Sequence, residues 1–149
     1  MISVSRRYRF SASHRLHSPE LSAARNEQVF GKCNNPFGHG HDYVLEITAG
    51  GPVDFETGLI LPVAKLDQLA QEEVLRPFAH RNINSDVPQF ATLIPTTENV
   101  ALVIADLLQQ HWTEYLGHTR ARLLRVRLQE TERNAFEILL NTESVTVNA

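Results

Sequence analysis

Three histidines and a cysteine are the residues with the most chemistry to offer. His39 and His41 form a His-x-His pair, and Cys33 stands just ahead of it in Cys33-Asn34-Asn35-Pro36-Phe37-Gly38-His39-Gly40-His41. His14 closes an earlier alternating segment. On a strand, residues i and i+2 sit ~6.8 Å apart on one side. Two imidazoles at that spacing can turn onto one ion at ~2.0–2.1 Å, with a third coming from a neighbouring strand. Three neutral nitrogen donors and an open fourth position are the usual plan of a catalytic zinc site, and ligand type alone leaves nickel, iron and copper open. A lone histidine is more often a satisfied core or loop residue. Three at strand ends, two of them paired, favour a metal.

Cys33 separates this pattern from the metal-binding His-x-His strands of cupins and carbonic anhydrases. As the sole cysteine it cannot form an intrachain disulfide, so it reads as a free thiol in a reducing cytoplasm. A free cysteine is commonly a buried small hydrophobe. Here Lys32 and the metal cluster are expected to favour the thiolate, which beside a metal-bound substrate can act as base or nucleophile. Glu130 is in phase with Leu124, Val126 and Leu128, so a buried strand face ends in a carboxylate that needs a partner. That partner is either a salt bridge or a ligand presenting paired N–H donors, such as a guanidine-like heterocycle edge. Thr96, Thr97 and Glu98 read as a helix N-terminus whose hydroxyls can cap the helix or meet a heterocycle. His80, in a polar loop with Arg81, Asn82 and Asn84, is either a surface residue or an acid–base group. His17, His111 and His118 belong to no constellation.

Two alternating segments must position these groups. In residues 4–16, Tyr8, Phe10, Ala12 and His14 point one way and Arg7, Arg9, Ser11 and Ser13 the other. In residues 39–49, His39 and His41 share a face with Tyr43, Leu45 and Ile47. Residues 17–38 read as one long loop, of a length that is often functional. Val53 to Leu61, around Glu56-Thr57-Gly58, reads as a hairpin continuing the second strand. Pro62 suits a helix start, and Leu66, Leu69, Ala70 and Val74 carry helical spacing to about Arg76, before Pro77. A second loop spans Phe78 to Pro95. Thr97 is the expected N-cap of a longer helix with the stripe Val100, Val103, Ile104, Leu107, Leu108, Trp112 and Leu116, closed by Gly117. Strands at about 121–130 and 135–140 follow, with Leu124, Val126 and Leu128 inward and Arg125 and Arg127 outward. The order ββααββ argues an α+β fold: a four-stranded antiparallel sheet with two helices on one face and arginines and serines on the other.

The 149 residues suit a single domain, 1–149, with one core, and the 42% apolar share is ordinary for a globular chain. A net charge of −3 gives no electrostatic case for nucleic acid or an anionic membrane as partner. No apolar run is long enough to span a bilayer, and Met1 to Arg9 lacks a signal core. A cytoplasmic protein is expected, with Asn141 to Ala149 as a loose tail.

Six motifs, in order, resemble the 6-pyruvoyltetrahydropterin synthases and their relatives, the 6-carboxytetrahydropterin synthases of the queuosine pathway. They are Phe10-Ser11-Ala12-Ser13-His14-Arg15-Leu16, Phe30 to His41, Glu56-Thr57-Gly58, His80-Arg81-Asn82, Pro95 to Val100, and Gln129-Glu130-Thr131. The resemblance runs from about Val4 to Leu139. It implies a tunnelling-fold subunit whose sheets join around a three-fold axis into a barrel, as a homo-oligomer that is a trimer or stacked hexamer. It implies zinc (Zn2+) on His14, His39 and His41, Glu130 anchoring a pterin near Thr96, Thr97 and Glu98, and Cys33 as general base with His80 as a second catalytic residue. The expected enzyme is a carbon–oxygen lyase acting on phosphates. It would take 7,8-dihydroneopterin triphosphate to 6-pyruvoyltetrahydropterin.

Five residues separate Cys33 from His39, which looks like the pyruvoyl synthases; the queuosine-pathway enzymes typically show three. Relatives that cleave the side chain carry glutamate where Cys33 stands. Four positions depart from the family pattern: Pro62, Phe37, Asp42 and, most seriously, Ala79, where an aspartate usually precedes the catalytic histidine. That aspartate would orient His80; Asp86 is the substitute available in the same loop. Three readings therefore stand beside the pyruvoyl synthase. They are a 6-carboxytetrahydropterin synthase, a zinc- and pterin-binding protein with impaired catalysis, and a carbonic-anhydrase-like hydrolyase.

Overall fold

The computed structural model describes residues 1–140; the expected tail, Asn141 to Ala149, lies outside the described residues. Strands β1 (Ile2–His14) and β2 (His39–Gly51) pair antiparallel along their whole length, from Ile2 opposite Gly51 to His14 opposite His39. This register does the first work of the site. Two in-phase apolar faces can only be buried together, and burying them sets His14 beside His39 with His41 two residues further along β2. Gly38 makes the entry into β2 with φ of 72°, and a Cβ there would come within 2.9 Å of the His14 carbonyl oxygen.

Helix α1 (Ala23–Phe30) and a 3-10 turn (Gly31–Asn34) fill the stretch expected to be a long loop. The helix buries one residue, Asn26, whose side chain bonds the backbone of Ser18, Leu21 and Ser22. A helix held by a polar side chain carries no apolar stripe to betray it. The expected hairpin at Val53 to Leu61 is a turn without paired strands. The Asp54 carboxylate accepts from the backbone N–H of Glu56 and Thr57, and Asp54 N–H donates to the Leu59 carbonyl.

Helix α2 (Val63–Ala70) starts after Pro62 as expected. It does not stop before Pro77: it widens into a π turn over Gln71–Leu75 and continues as α3 (Arg76–Phe78). A π turn is a usual way of absorbing an interruption in the helical ladder. The second expected loop holds a two-residue strand β3 (Arg81–Asn82), a turn of helix α4 (Ile83–Asp86) and a 3-10 turn (Pro88–Ala91). Helix α5 (Thr97–Leu116) follows and ends at Gly117. Its N-cap is Thr96, whose hydroxyl accepts from Asn99 N–H. Thr97, the expected cap, is one residue inside and buried, with its hydroxyl turned to Glu130.

Strands β4 (Arg122–Gln129) and β5 (Ala135–Leu139) complete the sheet, whose order among the described residues is β3-β1-β2-β4-β5. The expected four antiparallel strands are all present. The fifth, β3, pairs parallel with β1 at Ala12 and Ser13, through backbone contacts that leave no side-chain pattern. A register shift between Thr48 and Ala49 puts a bulge in β4, so that Leu123, and not Leu124, joins Val126 and Leu128 in the core. Helices α2 and α5 bury Leu66, Leu69, Val100, Ile104 and Leu108 against Phe10, Tyr43, Leu45 and Ile47. On the opposite face, where arginines and serines were expected, Glu46 is also present, buried between Arg7 and Arg125. Among the described residues no helix is long and apolar enough to cross a membrane.

Candidate active site

His14, His39 and His41 gather at one end of the β1–β2 pair. Their ring centroids are 5.0 Å (His14–His39), 5.0 Å (His14–His41) and 4.5 Å (His39–His41) apart. His14 is 1% exposed, and its Nδ1 lies 2.9 Å from the Pro95 carbonyl oxygen. That bond assigns the proton to Nδ1 and leaves Nε2 a bare donor, the orientation that metal-bound imidazoles usually have. His14 Nε2 faces His39 Nε2 at 3.1 Å. Burial, opposed by the Pro95 bond and reinforced by the other two rings, holds the His14 imidazolium down at about 4, and burial followed by His41 lowers His39. Both are therefore neutral ligands at neutral pH.

His41 Nε2 is buried and has no hydrogen bond among the described residues, although Glu130 Oε1 is 3.0 Å away. The distance is that of an ion pair, but ring and carboxylate are not aligned for a hydrogen bond, and the absence of the bond is the more telling fact. An orphaned buried nitrogen, two nitrogens facing each other and a carbonyl-fixed tautomer all fit a cation shared by the three rings. Among the described residues two groupings of potential ligand atoms pivot on His14, one with Cys33 and His39 and the other with His41 and Glu130; a third, Glu73, His111 and Glu114, lies away from the site. The three rings lie side by side, but the close groupings of ligand atoms divide them, His39 falling with Cys33 and His41 with Glu130.

The buried His14 makes stability depend on acid. Its folded value lies below the ordinary 6.5, so the unfolded chain binds the extra proton between those two values. Stability is then full above about 6.5 and falls as the pH drops toward about 4. For chelator-treated protein we expect a loss on the order of 2–3 kcal/mol across that interval. Urea midpoints at pH 7 and pH 4.5 for the native protein and His14→Gln check it. The substitution should remove most of the difference.

Glu130 follows the last residue of β4 and accepts a hydrogen bond from Thr97 Oγ1. Burial raises its pKa, His41 lowers it and Glu98 raises it. Of the expected heterocycle-binding set, Glu130 and Thr97 are joined, Glu98 is exposed but close enough to act on Glu130, and Thr96 is committed to capping. The buried Tyr43 hydroxyl, beside the histidines and without a partner among the described residues, was not anticipated. Its phase with His41 marked it only as core.

Cys33 lies half-buried in the 3-10 turn. Burial and then the Glu130 carboxylate push its thiol up. Lys32 is not among the groups acting on it, which corrects the expectation that this lysine favours the thiolate. The lysine is exposed and lines a surface cleft.

His80 is exposed, in the left-handed region at φ 59°, with its N–H donating to the Ser11 carbonyl at 2.6 Å. It lines a shallow cleft with Ser11, Gly40, His41 and Asp42, not with Cys33. Asp86, the proposed stand-in for the missing aspartate, is spent locally: it accepts from Asn82 N–H at 2.8 Å and from Ser85 Oγ. Among the described residues the His80 ring has no hydrogen-bond partner.

The family model of 6-pyruvoyl tetrahydropterin synthase matches residues 3–140. The chain belongs to the 6-pyruvoyl tetrahydropterin synthase family. It is 50% identical over 107 residues to the human 6-pyruvoyl tetrahydrobiopterin synthase, an alignment covering 72% of this chain and 74% of that protein. With the Drosophila melanogaster enzyme of the same name it is 43% identical over 132 residues, covering 88% and 75%. The structure of Caenorhabditis elegans 6-pyruvoyl tetrahydropterin synthase superposes with a TM-score of 0.82 at 38% identity, over 93% of this chain and 94% of that one. The subunit therefore has the tunnelling fold of the 6-pyruvoyl tetrahydropterin synthase family. Membership also bears out the expected enzyme class, a carbon–oxygen lyase acting on phosphates.

Proposed function

We propose that this protein converts 7,8-dihydroneopterin triphosphate to 6-pyruvoyltetrahydropterin with loss of triphosphate, on zinc held by His14, His39 and His41. The observation that carries this reading is the clustering of Glu130, the three histidines and Cys33 around His14. It offers a carboxylate for a heterocycle, a cation site for hydroxyls and a thiol for a proton. Zinc at that position would polarise the side-chain hydroxyls and acidify the adjacent C–H bonds. Glu130, oriented by Thr97, accepts paired N–H donors from the pterin edge. Glu98 adds negative charge at the same edge, and the Thr96 cap fixes the helix end that carries it. Cys33 removes a side-chain proton as thiolate; His80, apart from the thiol within the subunit, is the second acid–base group. The triphosphate leaves, and tautomerisation gives the pyruvoyl product. We read the assembly as a trimer or hexamer built on the arginine-lined sheet face.

Glu130→Gln tests the anchor. The amide replaces one acceptor by a donor facing an N–H, and we expect pterin affinity to fall about 10–100-fold. Unchanged affinity by fluorescence titration would sink the assignment.

A second reading, a zinc- and pterin-binding protein with impaired turnover, is favoured by one fact: Ala79 supplies no carboxylate, and Asp86 does not reach His80. Ala79→Asp separates the two. A gain of about tenfold or more in kcat identifies a missing orienting group; no gain means that His80 is oriented otherwise. Product mass distinguishes the remaining alternative, since a 6-carboxytetrahydropterin synthase would release acetaldehyde and retain a one-carbon side chain.

A further inference from the structure

Among the described residues His80 is the only one other than glycine with a positive φ, 59°. A residue with a β-carbon rarely adopts that conformation, and it persists where the surroundings enforce it. Here they do so on both flanks. Ala79 N–H donates to the Leu75 carbonyl at 2.8 Å, and His80 N–H to the Ser11 carbonyl at 2.6 Å. The next two residues, β3, pair with β1 at Ala12 and Ser13. The backbone of His80 is thus fixed against Ser11, while its exposed ring bonds nothing among the described residues.

Ser11 meets a carboxylate on its other side. It stands opposite Asp42 in the β1–β2 register, and its hydroxyl donates to Asp42 Oδ1 at 2.5 Å. Asp42 Oδ2 has no partner among the described residues. Two arginines lie near it, Arg81 in the same cleft and Arg9 on the other flank of Asp42, and among the described residues neither forms an ion pair with it. Asp42, Ser11 and His80 line one open cleft of ≈ 460 Å³ beside His41. A free ring on a fixed backbone and a carboxylate held by one oxygen therefore stand on opposite sides of a single serine. Two strand spacings, about 10 Å, are within the combined reach of an imidazole, a carboxylate and a hydrogen bond. Exposed side chains turn within nanoseconds, and catalytic hydrogen bonds that are open in a free enzyme often close in the substrate complex.

Ala79 and Asp42 are both departures from the family pattern, and they complement each other. No carboxylate precedes His80, and Asp86 is committed to Asn82 and Ser85. Asp42 supplies a carboxylate in the cleft that the ring lines. We propose that Asp42 is the positioning residue of His80. Its free oxygen accepts the ring N–H, fixes the tautomer and leaves the other ring nitrogen to take up and release the proton. This rests on the assignment of His80 as the second acid–base group in the reading above, and the test separates the two.

The zinc-loaded protein is assayed for turnover of 7,8-dihydroneopterin triphosphate, with Asp42→Asn as the first variant. Asparagine keeps an acceptor for Ser11 and loses only the charge. We expect kcat to fall about 10–30-fold, with KM and zinc content within about twofold of the native protein. Asp42→Glu should recover part of the loss. His80→Ala should lose more, and adding Asp42→Asn to it should cost nothing further, because the carboxylate acts only through the ring. Ala79→Asp should change native turnover by less than about twofold, yet restore most of the loss in the Asp42→Asn protein. Native turnover in Asp42→Asn, or an equal further loss in the His80→Ala background, overturns the assignment and leaves the pterin reading standing. A gain of about tenfold from Ala79→Asp alone does the same, since the orienting post would then be vacant. Zinc lost together with turnover in Asp42→Asn also overturns it, placing Asp42 at the metal instead. If the native protein forms no pterin product, the pterin reading falls and the role of Asp42 with it.

Discussion

Replacing Cys33 by alanine should lower kcat about 10³-fold while leaving zinc content and pterin affinity within about twofold of the native protein. The size follows from the role. A positioned base contributes roughly 10²–10⁴-fold, and no second thiol exists in the chain to take over. The environment sets a further condition. Burial and Glu130 both raise the thiol pKa, so the reactive thiolate is disfavoured by the protein alone. A cation on the histidines, two of whose donor atoms lie within 4.8 Å of the Cys33 sulfur, reverses that balance. Thiolate absorbance against pH should therefore show Cys33 titrating above an ordinary cysteine in chelated protein and well below that in zinc-loaded protein. A Cys33→Ala protein that kept native turnover would remove the thiol from the mechanism and leave His80 or a bound water as base.

Replacing His39 by alanine should cost about 10²–10³-fold in zinc affinity, taking structural zinc binding of roughly 10–16 kcal/mol as shared among four ligands. His39 is the cleanest of the three to remove. It is partly exposed, its backbone pairs with His14 at the sheet end, and among the described residues its ring makes no hydrogen bond except toward His14. His14→Ala would also leave the Pro95 carbonyl without its partner in a buried position, mixing a stability loss with the metal loss. Metal analysis after dialysis is the direct measurement, and the fold can be followed separately by circular dichroism. Full zinc occupancy in a folded His39→Ala protein would refute the three-histidine site. The neighbouring set of His14, His41 and Glu130 would then be the centre to consider.

Much of the site could be read without coordinates because strands encode position at period two. The phase of His14 with Phe10, and of His41 with Tyr43 and Leu45, put these rings on one buried face, and the β1–β2 register realises that face residue by residue. Glu130 was legible for the same reason, as a carboxylate in phase with Val126 and Leu128. The helical stripe of α5 and its Gly117 end were equally plain. Where the reading failed, the controlling interactions were polar and non-periodic. Helix α1 is held by Asn26 bonding to backbone, β3 by main-chain pairing with β1, and the inward face of β4 by a bulge that exchanges Leu124 for Leu123. The cap of α5 shifted by one residue because the Thr97 hydroxyl is engaged by Glu130, a contact across 33 positions of chain.

By itself the sequence determined the α+β class, the identities of the metal-ligating candidates and the family, since each rests on residue type at fixed spacing. Tertiary structure alone decided the rest. It set His14 against Pro95, put Glu130 rather than Lys32 in charge of the Cys33 thiol, committed Asp86 to Asn82, and left His80 apart from the thiol within the subunit. These are distances between side chains far apart in sequence, fixed by packing and by which polar groups must be satisfied, and no local pattern carries them.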